Sequence, residues 1–238
     1  MQRLFVPSLG PTDWRRLLAD PSSQWERYKS ALEMAVCWES ARDSERGLPP
    51  EVAATIDSFP ALRGAQLLIG IPEHKVSFEG GGHASQNDLW ALLKTTSGFV
   101  SLAVEAKAGE KLDDLVREWL PKDGVRSRKA ERLAALQRRL AIAEADTSAI
   151  RYQLLHRTAS ALKEAERFGA SWAVLLVQSF NRQADQESFQ DYLRFAELML
   201  APAAEGQLVA SGRKTPVPLL LGWVWSQPAD LDRLAAAV

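Results

Sequence analysis

A tight turn at Thr96-Ser97 joins two strongly apolar segments, and this hairpin constrains the fold more than any other feature of the chain. The segments Asp88–Thr95 and Phe99–Ala108 have the length and composition of β-strands. A glycine directly after the turn favours a short antiparallel connection. If Thr95 lies opposite its partner at position 98, the pairing places Asp88 directly across from Glu105.

The same register separates the side chains of the hairpin by face, because successive strand residues point to opposite sides of a sheet. One face is wholly apolar and is expected in the core; it carries Leu89, Ala91, Leu93, Val100, Leu102 and Val104. The other face carries Asp88, Glu105 and Lys107. A slip of one residue would destroy this agreement, so the pattern predicts the register as well as the strands.

The polar face predicts a metal site. Two facing carboxylates repel each other unless a cation lies between them, and oxygen ligands suit a hard divalent ion. We therefore expect Asp88 and Glu105 to bind Mg²⁺, with Mn²⁺ as a substitute. Lys107 would orient or deprotonate a water, or stabilise the charge that develops on phosphorus. These parts suit hydrolysis of a phosphodiester.

A competing triplet of the same kind occurs at Glu73-His74-Lys75, with Asp57 upstream. Asp57 falls in a predicted helix, and no tight hairpin places it opposite Glu73. Pro72 is typical of a strand end or turn. The sequence therefore favours the site at Asp88 over the triplet.

The rest of the chain predicts an α/β fold. Helical patterns surround the hairpin, and two apolar segments, 171–180 and 218–226, indicate buried strands. We expect a central mixed sheet of about five strands, a meander hairpin plus parallel additions, flanked by helices. No linker interrupts the sequence, so residues 1–238 are predicted as one domain, with a core at about 23–180 and a C-terminal helix and strand at 185–226.

Composition narrows the class of protein. The formal net charge is −1, so contact with a polyanion would need a local basic patch or a bound metal. The single cysteine excludes an internal disulfide framework. The sequence shows no signal peptide pattern and no apolar run of membrane-spanning length, so a cytoplasmic protein without membrane contact is expected.

The segment NDLWALLKTTSGFVSLAVEAK resembles the core hairpin of the PD-(D/E)XK nuclease superfamily. In that family an Asp begins one strand and an (Asp/Glu)-x-Lys motif lies on the next; Asp88, Glu105 and Lys107 match these positions. The proline of the family motif is absent, since Asn87 precedes Asp88. The resemblance implies a restriction-endonuclease-like fold and a Mg²⁺-dependent nuclease acting on DNA.

The resemblance also implies auxiliary residues. Many members place a Glu from the first core helix in the metal shell, which here implies Glu39, with Glu33 and Glu45 as alternatives. Some members place a Gln on the helix after the motif, and Gln153 resembles it. Ordinary surface positions on helices would explain Glu39 and Gln153 equally well.

A basic segment from Lys122 to Arg139 follows the proposed site, with seven cationic and two acidic residues. It is predicted either to contact the phosphate backbone of nucleic acid or to form a solvated helix face. The predicted contacts to nucleic acid are Arg126, Arg128, Lys129 and, one helical turn from Gln153, Arg157. A homodimer would suit an enzyme that cuts both strands of DNA.

Two other functions fit the same residues. The first alternative is a catalytically silent nuclease-fold module that binds nucleic acid or a protein partner. The second is an unrelated α/β interaction protein in which the Glu105-Ala106-Lys107 triplet is coincidental. The sequence leaves open the choice between DNA and RNA and between endonuclease and exonuclease.

Overall fold

The computed structural model describes residues 8–79, 83–120 and 128–230. Within these ranges the chain forms an open, mixed, six-stranded sheet flanked by helices. The helices are α1 (Thr12–Arg15), α2 (Pro21–Gln24), α3 (Ser30–Ala41), α4 (Pro50–Asp57), a 3-10 turn at Pro60–Leu62, α5 (Val116–Trp119), α6 (Arg128–Arg139), α7 (Tyr152–Phe168) and α8 (Gln186–Leu198). The strands are β1 (Gln66–Val76), β2 (Ser85–Thr95), β3 (Gly98–Lys107), β4 (Trp172–Ser179), β5 (Leu208–Ala210) and β6 (Leu219–Trp225).

The strand order across the sheet is β1-β2-β3-β4-β6-β5. Strands β1, β2 and β3 form an antiparallel meander, β4 runs parallel to β3, and β6 runs parallel to β4. The α/β class and the mixed sheet are therefore confirmed. The sequence predicted about five strands and missed β5, a three-residue edge strand antiparallel to β6, which is too short to show a periodic pattern.

The predicted hairpin register is confirmed. Thr95 pairs with Gly98, and the ladder continues without a shift to the pair between Leu89 and Val104. The apolar face of the hairpin packs in one hydrophobic cluster with residues of α3 and α4, as expected from the alternation. The opposite face of the sheet is covered by α7.

Helix α7 positions the polar side of the hairpin. Its residues contact β3 and β4, and it ends at Gly169, whose φ of 61° is the left-handed conformation that glycine adopts most easily. Strand β4 lies under this helix and is buried along almost all of its length, as its apolar sequence predicted. Among the described residues, none of the helices combines the length and the apolarity needed to cross a bilayer.

The chain between β3 and α6 differs from the sequence prediction. The pattern of residues 111–120, which ends before Pro121, predicts a helix, but only α5 is helical there. The reason is tertiary pairing: Tyr152 donates its backbone N–H to the Asp114 carbonyl, and Val116 donates to the Ile150 carbonyl. These bonds tie residues 114–116 to the start of α7. They engage backbone groups that a continuous helix would pair within itself.

Candidate functional site

Three carboxylates form one row across neighbouring strands. The pairs that flank Glu73 are Pro72–Leu89 and His74–Asn87, so Glu73 lies opposite Asp88. Continuing the ladder of β2 and β3 by one step past Leu89 places Asp88 opposite Glu105. All three line a cleft of about 470 Å³, together with Lys107, Gln153 and Arg157.

Within this row, Glu105 is the centre of a charged cluster. Lys107 donates from Nζ to Glu105 Oε1 at 2.7 Å, and Arg157 donates from Nε to Glu105 Oε2 at 2.6 Å. Arg157 Nη2 lies 3.6 Å from Asp88 Oδ1. The side chain of Glu105 is only 1% exposed, whereas that of Asp88 is 23% exposed, so Asp88 is the carboxylate that faces the cleft. The structure therefore brings Asp88, Glu105 and Lys107 together, as the sequence predicted.

Asp88 also stabilises the end of the hairpin. Its Oδ2 accepts a hydrogen bond of 2.7 Å from the backbone N–H of Ala106. The carboxylate thus takes a backbone donor of the neighbouring strand at the mouth of the cleft. Its other oxygen, Oδ1, has the longer ionic contact with Arg157 described above.

Burial and charge give the two central carboxylates opposite properties. Burial penalises both charged forms, but Lys107 and Arg157 outweigh it at Glu105 and hold the pKa of that carboxyl below its ordinary value. At Asp88, burial and the negative charge of Glu105 raise the pKa well above its usual range. For Lys107, burial is outweighed by Glu105 and Asp88, so its pKa is raised and its amine is protonated at neutral pH.

Two carboxylates of the cleft were not predicted as site residues. Glu110 accepts from the backbone N–H groups of Ser30 and Ala108, which joins the first turn of α3 to the end of β3. Glu73 has a φ of 53°, the left-handed region that non-glycine residues seldom adopt, and it accepts a 2.6 Å hydrogen bond from Gln86 Nε2. Glu73 is the acidic residue of the competing triplet, so it belongs to the predicted site instead of forming a separate one.

The pairing of Asp57 explains why the triplet forms no site of its own. Both carboxylate oxygens of Asp57 accept from the guanidinium of Arg46, at 2.7 and 3.0 Å. Asp57 ends α4, as the sequence predicted, and does not line the cleft.

Replacement of Glu73 by glutamine is expected to stabilise the protein at alkaline pH. Burial outweighs the hydrogen bond from Gln86 and raises the pKa of Glu73 from its ordinary value of 4.5 to about 7. The folded state therefore keeps a proton that the unfolded chain has lost between those values, and folding is penalised as the pH rises through this window. Glutamine removes the penalty. Glu73→Gln should melt about 3 °C or more above the unsubstituted protein at about pH 8, with the gap closing towards about pH 5.

Thermal melts across this pH range would test the expectation. Glu79→Gln is the matched control, since this side chain is 84% exposed and its ionic contact with Arg138 is 4.0 Å long. The control should shift the melting temperature equally at all pH values. A gap for Glu73→Gln that stays constant with pH would contradict the assigned cause.

Asp88 and Glu105 are the carboxylates of the cleft to consider as ligands of a hard divalent cation. Among the residues that the structure describes, no group of three or more His, Cys, Asp or Glu side chains is arranged as a complete metal site. Mg²⁺ does not require one, because it commonly keeps several waters and binds one or two carboxylates plus substrate phosphate. Asp88 is open to the cleft, and burial together with the charge of Glu105 raises its pKa, so a nearby cation would favour its charged form. Asp88 could hold such a cation directly, whereas Glu105 could do so only by giving up a contact with Lys107 or Arg157.

The structure places the two auxiliary residues differently. Gln153 lies on α7, lines the cleft, and accepts from the backbone N–H of Asp113 through Oε1 at 3.3 Å. Glu39 is not brought to the cleft: its Oε1 accepts from Ser8 and Trp14, and its Oε2 pairs with Arg42. Glu39 therefore ties the N-terminal segment to α3 in this structure, and the metal role inferred for it from the resemblance has no support from its position.

The alternatives to Glu39 are also not among the residues lining the cleft. Glu33 is buried, and its carboxylate accepts from the backbone N–H groups of Tyr28 and Ala229. Glu45 is exposed in the chain after α3. Glu110 does line the cleft, and it contacts α3 through the backbone N–H of Ser30.

The predicted nucleic-acid contacts divide into three groups. Arg126 lies outside the described residues. Arg128 and Lys129 begin α6, are exposed, and line a second cleft that adjoins the first. Arg157 was predicted as a contact to phosphate, but it is 7% exposed and its guanidinium pairs with Glu105 and Asp88. Only its position between the two clefts leaves it within reach of a ligand.

One comparison with known proteins identifies a family. The family described as a domain of unknown function, DUF6946, matches residues 7–228, which is most of the chain. No curated protein and no solved structure matches this chain.

Proposed function

Because this chain belongs to the DUF6946 family, whose description names no function, we propose its activity from the site: a metal-dependent nuclease that hydrolyses phosphodiester bonds, with DNA as the substrate. One observation carries this assignment. Asp88, Glu105 and Lys107 share one face of the sheet at a single cleft, in the order and spacing of the PD-(D/E)XK motif. An antiparallel meander followed by a helix and a parallel strand supports a restriction-endonuclease-like fold as part of the same proposal.

The residues of the cleft have separate roles in this reaction. Asp88 and Glu105 would hold Mg²⁺ or Mn²⁺, which supplies a Lewis acid for the phosphate and lowers the pKa of a bound water. Lys107 is protonated, so its Nζ stabilises the negative charge that develops on phosphorus. Arg157 neutralises Glu105 and fixes its orientation, which makes it a positioning residue. Gln153 orients the attacking water from the helical wall of the cleft.

Incubation of the protein with supercoiled plasmid and linear DNA tests the proposal. Cleavage is expected with Mg²⁺ or Mn²⁺ and should stop when EDTA removes the ion. The two DNA forms also separate endonuclease from exonuclease action, since a closed circle has no ends. If neither DNA form is cleaved in the presence of Mg²⁺ or Mn²⁺, the result would count against the proposed nuclease activity.

A second function is favoured by one specific observation. Both oxygens of Glu105 already accept from cationic side chains, Lys107 and Arg157, so the cluster is neutralised from within. A catalytically silent module that binds nucleic acid or a protein would keep such a cluster for stability. Calorimetry with Mn²⁺ separates the two functions. A silent module should bind no Mn²⁺, whereas a nuclease should bind it, and Asp88→Asn should lower that affinity.

A further inference from the structure

A second cleft of about 360 Å³ adjoins the first and shares two lining residues with it. Gln86 and Arg157 line both clefts. Among the described residues, the charges of the second cleft are mostly positive: it is lined by Arg128, Lys129, Arg132 and Arg157, with Asp113 as the acidic member. The side chain of Asp113 is 61% exposed, so it lies at the edge of the cleft and not in its floor.

Aromatic rings hold the cations of this cleft in place. Trp119 and Tyr152 stack with ring centroids 3.8 Å apart and planes 11° from parallel. Lys129 Nζ lies 5.0 Å above the Trp119 ring and donates to the Trp119 carbonyl at 2.8 Å. Arg132 donates from Nε to the Tyr152 hydroxyl at 2.6 Å. One ammonium group and one guanidinium group are thus held in place before any ligand arrives, which lowers the entropic cost of binding an anion.

His156 adds a neutral donor to the same cleft. Burial lowers its pKa to about 4, so the ring is uncharged at neutral pH. Ser85 Oγ lies 2.6 Å from His156 Nδ1, and Arg157 Nη1 lies 3.4 Å from it. Because a guanidinium can only donate, Nδ1 is the acceptor and the ring proton is on Nε2. That nitrogen lies 3.9 Å from Asp113 Oδ2, a long contact with the acidic residue at the edge of the cleft.

We propose that this second cleft binds a phosphate group of the nucleic-acid strand whose scissile bond lies in the first cleft. The identity of the strand rests on the proposed function, whereas the affinity for phosphate rests on the cations described above. Because Gln86 and Arg157 line both clefts, the clefts adjoin, and a single strand would pass these two residues on its way from one cleft to the other. The phosphate is either an internal phosphodiester next to the cut or a terminal phosphomonoester.

Binding without cleavage tests the proposal directly. Fluorescence anisotropy in EDTA would use single-stranded oligonucleotides of one sequence with a 5′-phosphate, a 3′-phosphate or neither. The double variant Arg128→Gln/Lys129→Gln removes two exposed cations of the cleft, so folding should be retained. Arg138→Gln is the matched control, because it lies on the same helix, its side chain is 63% exposed, and it does not line the cleft.

The double variant is expected to bind about tenfold or more weakly, with a salt-dependence slope smaller by about 0.7 for the loss of one phosphate contact to a single strand. The control should bind within about twofold of the unsubstituted protein, because a lone exposed cation outside the cleft makes no fixed phosphate contact. A preference for one phosphorylated end that disappears in the double variant would identify a terminal phosphomonoester. Equal binding of all three oligonucleotides, weakened equally by the variant, would identify an internal phosphodiester.

Two results would overturn the inference. One is a double variant with the affinity and salt slope of Arg138→Gln. The other is an unsubstituted protein that binds none of the oligonucleotides. Failure of the nuclease proposal is distinguishable, because it would appear as intact binding in EDTA with no cleavage when Mg²⁺ or Mn²⁺ is added.

Discussion

Replacement of Glu105 by glutamine is expected to lower the rate of DNA cleavage by about 10²–10³-fold, the range seen when one preorganised electrostatic contact is lost from an active site. Glutamine keeps the size of the side chain but removes the charge that would hold the metal. It also leaves Lys107 and Arg157 with one neutral oxygen where two charged ones accepted. Initial rates on linear DNA at saturating Mn²⁺ measure the effect, and circular dichroism confirms retention of the fold.

Lys107→Met provides the companion variant. It should lose cleavage to a similar extent but still bind Mn²⁺, because the carboxylates of Asp88 and Glu105 remain. Glu79→Gln, an exposed carboxylate, is the control and should cleave at the unsubstituted rate. Full activity in both Glu105→Gln and Lys107→Met, with folding retained, would falsify the assignment of the site.

Arg157→Met is expected to lower the free energy of unfolding by about 3–5 kcal/mol, the usual cost of removing one partner of a buried ion pair. Arg157 is 7% exposed and bonds to Glu105, which is 1% exposed. Without the guanidinium, the carboxylates of Glu105 and Asp88 face each other with only Lys107 to offset them. Urea unfolding at neutral pH measures the loss, and Arg138→Met should stay within about 0.5 kcal/mol as an exposed control.

The double variant Glu105→Gln/Arg157→Met separates the ion pair from packing. If the cost comes from an uncompensated buried charge, the double variant should lose less free energy of unfolding than the two single variants lose together. The difference, the coupling free energy, should be about 1–3 kcal/mol. Strictly additive losses would instead assign the cost to packing of the arginine side chain. That outcome would also weaken the positioning role given to Arg157.

The hairpin could be predicted from the sequence because its pattern overdetermines it. A period of two, an apolar face and a tight turn at Thr96-Ser97 agree on a single register, and local information is sufficient. The row formed by Asp88 and Glu105 follows from that register alone. Lys107 follows because it is two residues from Glu105 on the same strand.

Glu73 could not be assigned in the same way. Strand β1 pairs with β2 through a bulge between Leu67 and Ile69, which changes the register by one residue. The loop between these strands is longer than a tight turn, so the sequence does not specify which residues oppose each other. The one local signal is Pro72, which marks an irregular backbone next to the left-handed φ of Glu73.

The partner of Glu105 on α7 was also beyond local reasoning. Arg157 lies 52 residues from Glu105, and only packing of the helix on the sheet brings them together. The sequence did place Gln153 and Arg157 one turn apart on a helix that follows the motif, which is why both were selected. It could not show that both side chains would be largely buried beside the cleft.

The hydrogen bond from the Ala106 amide to Asp88 makes this backbone proton a natural spectroscopic reporter. The resonance frequency of an amide that donates to a carboxyl oxygen changes when the carboxyl gains or loses a proton. It also changes when a metal ion binds to the carboxylate. A single nitrogen-proton correlation peak would therefore report when a proton or a metal ion binds at Asp88, without a probe attached to any side chain. Titration of that peak would record the chemistry at Asp88 even in variants that no longer turn over.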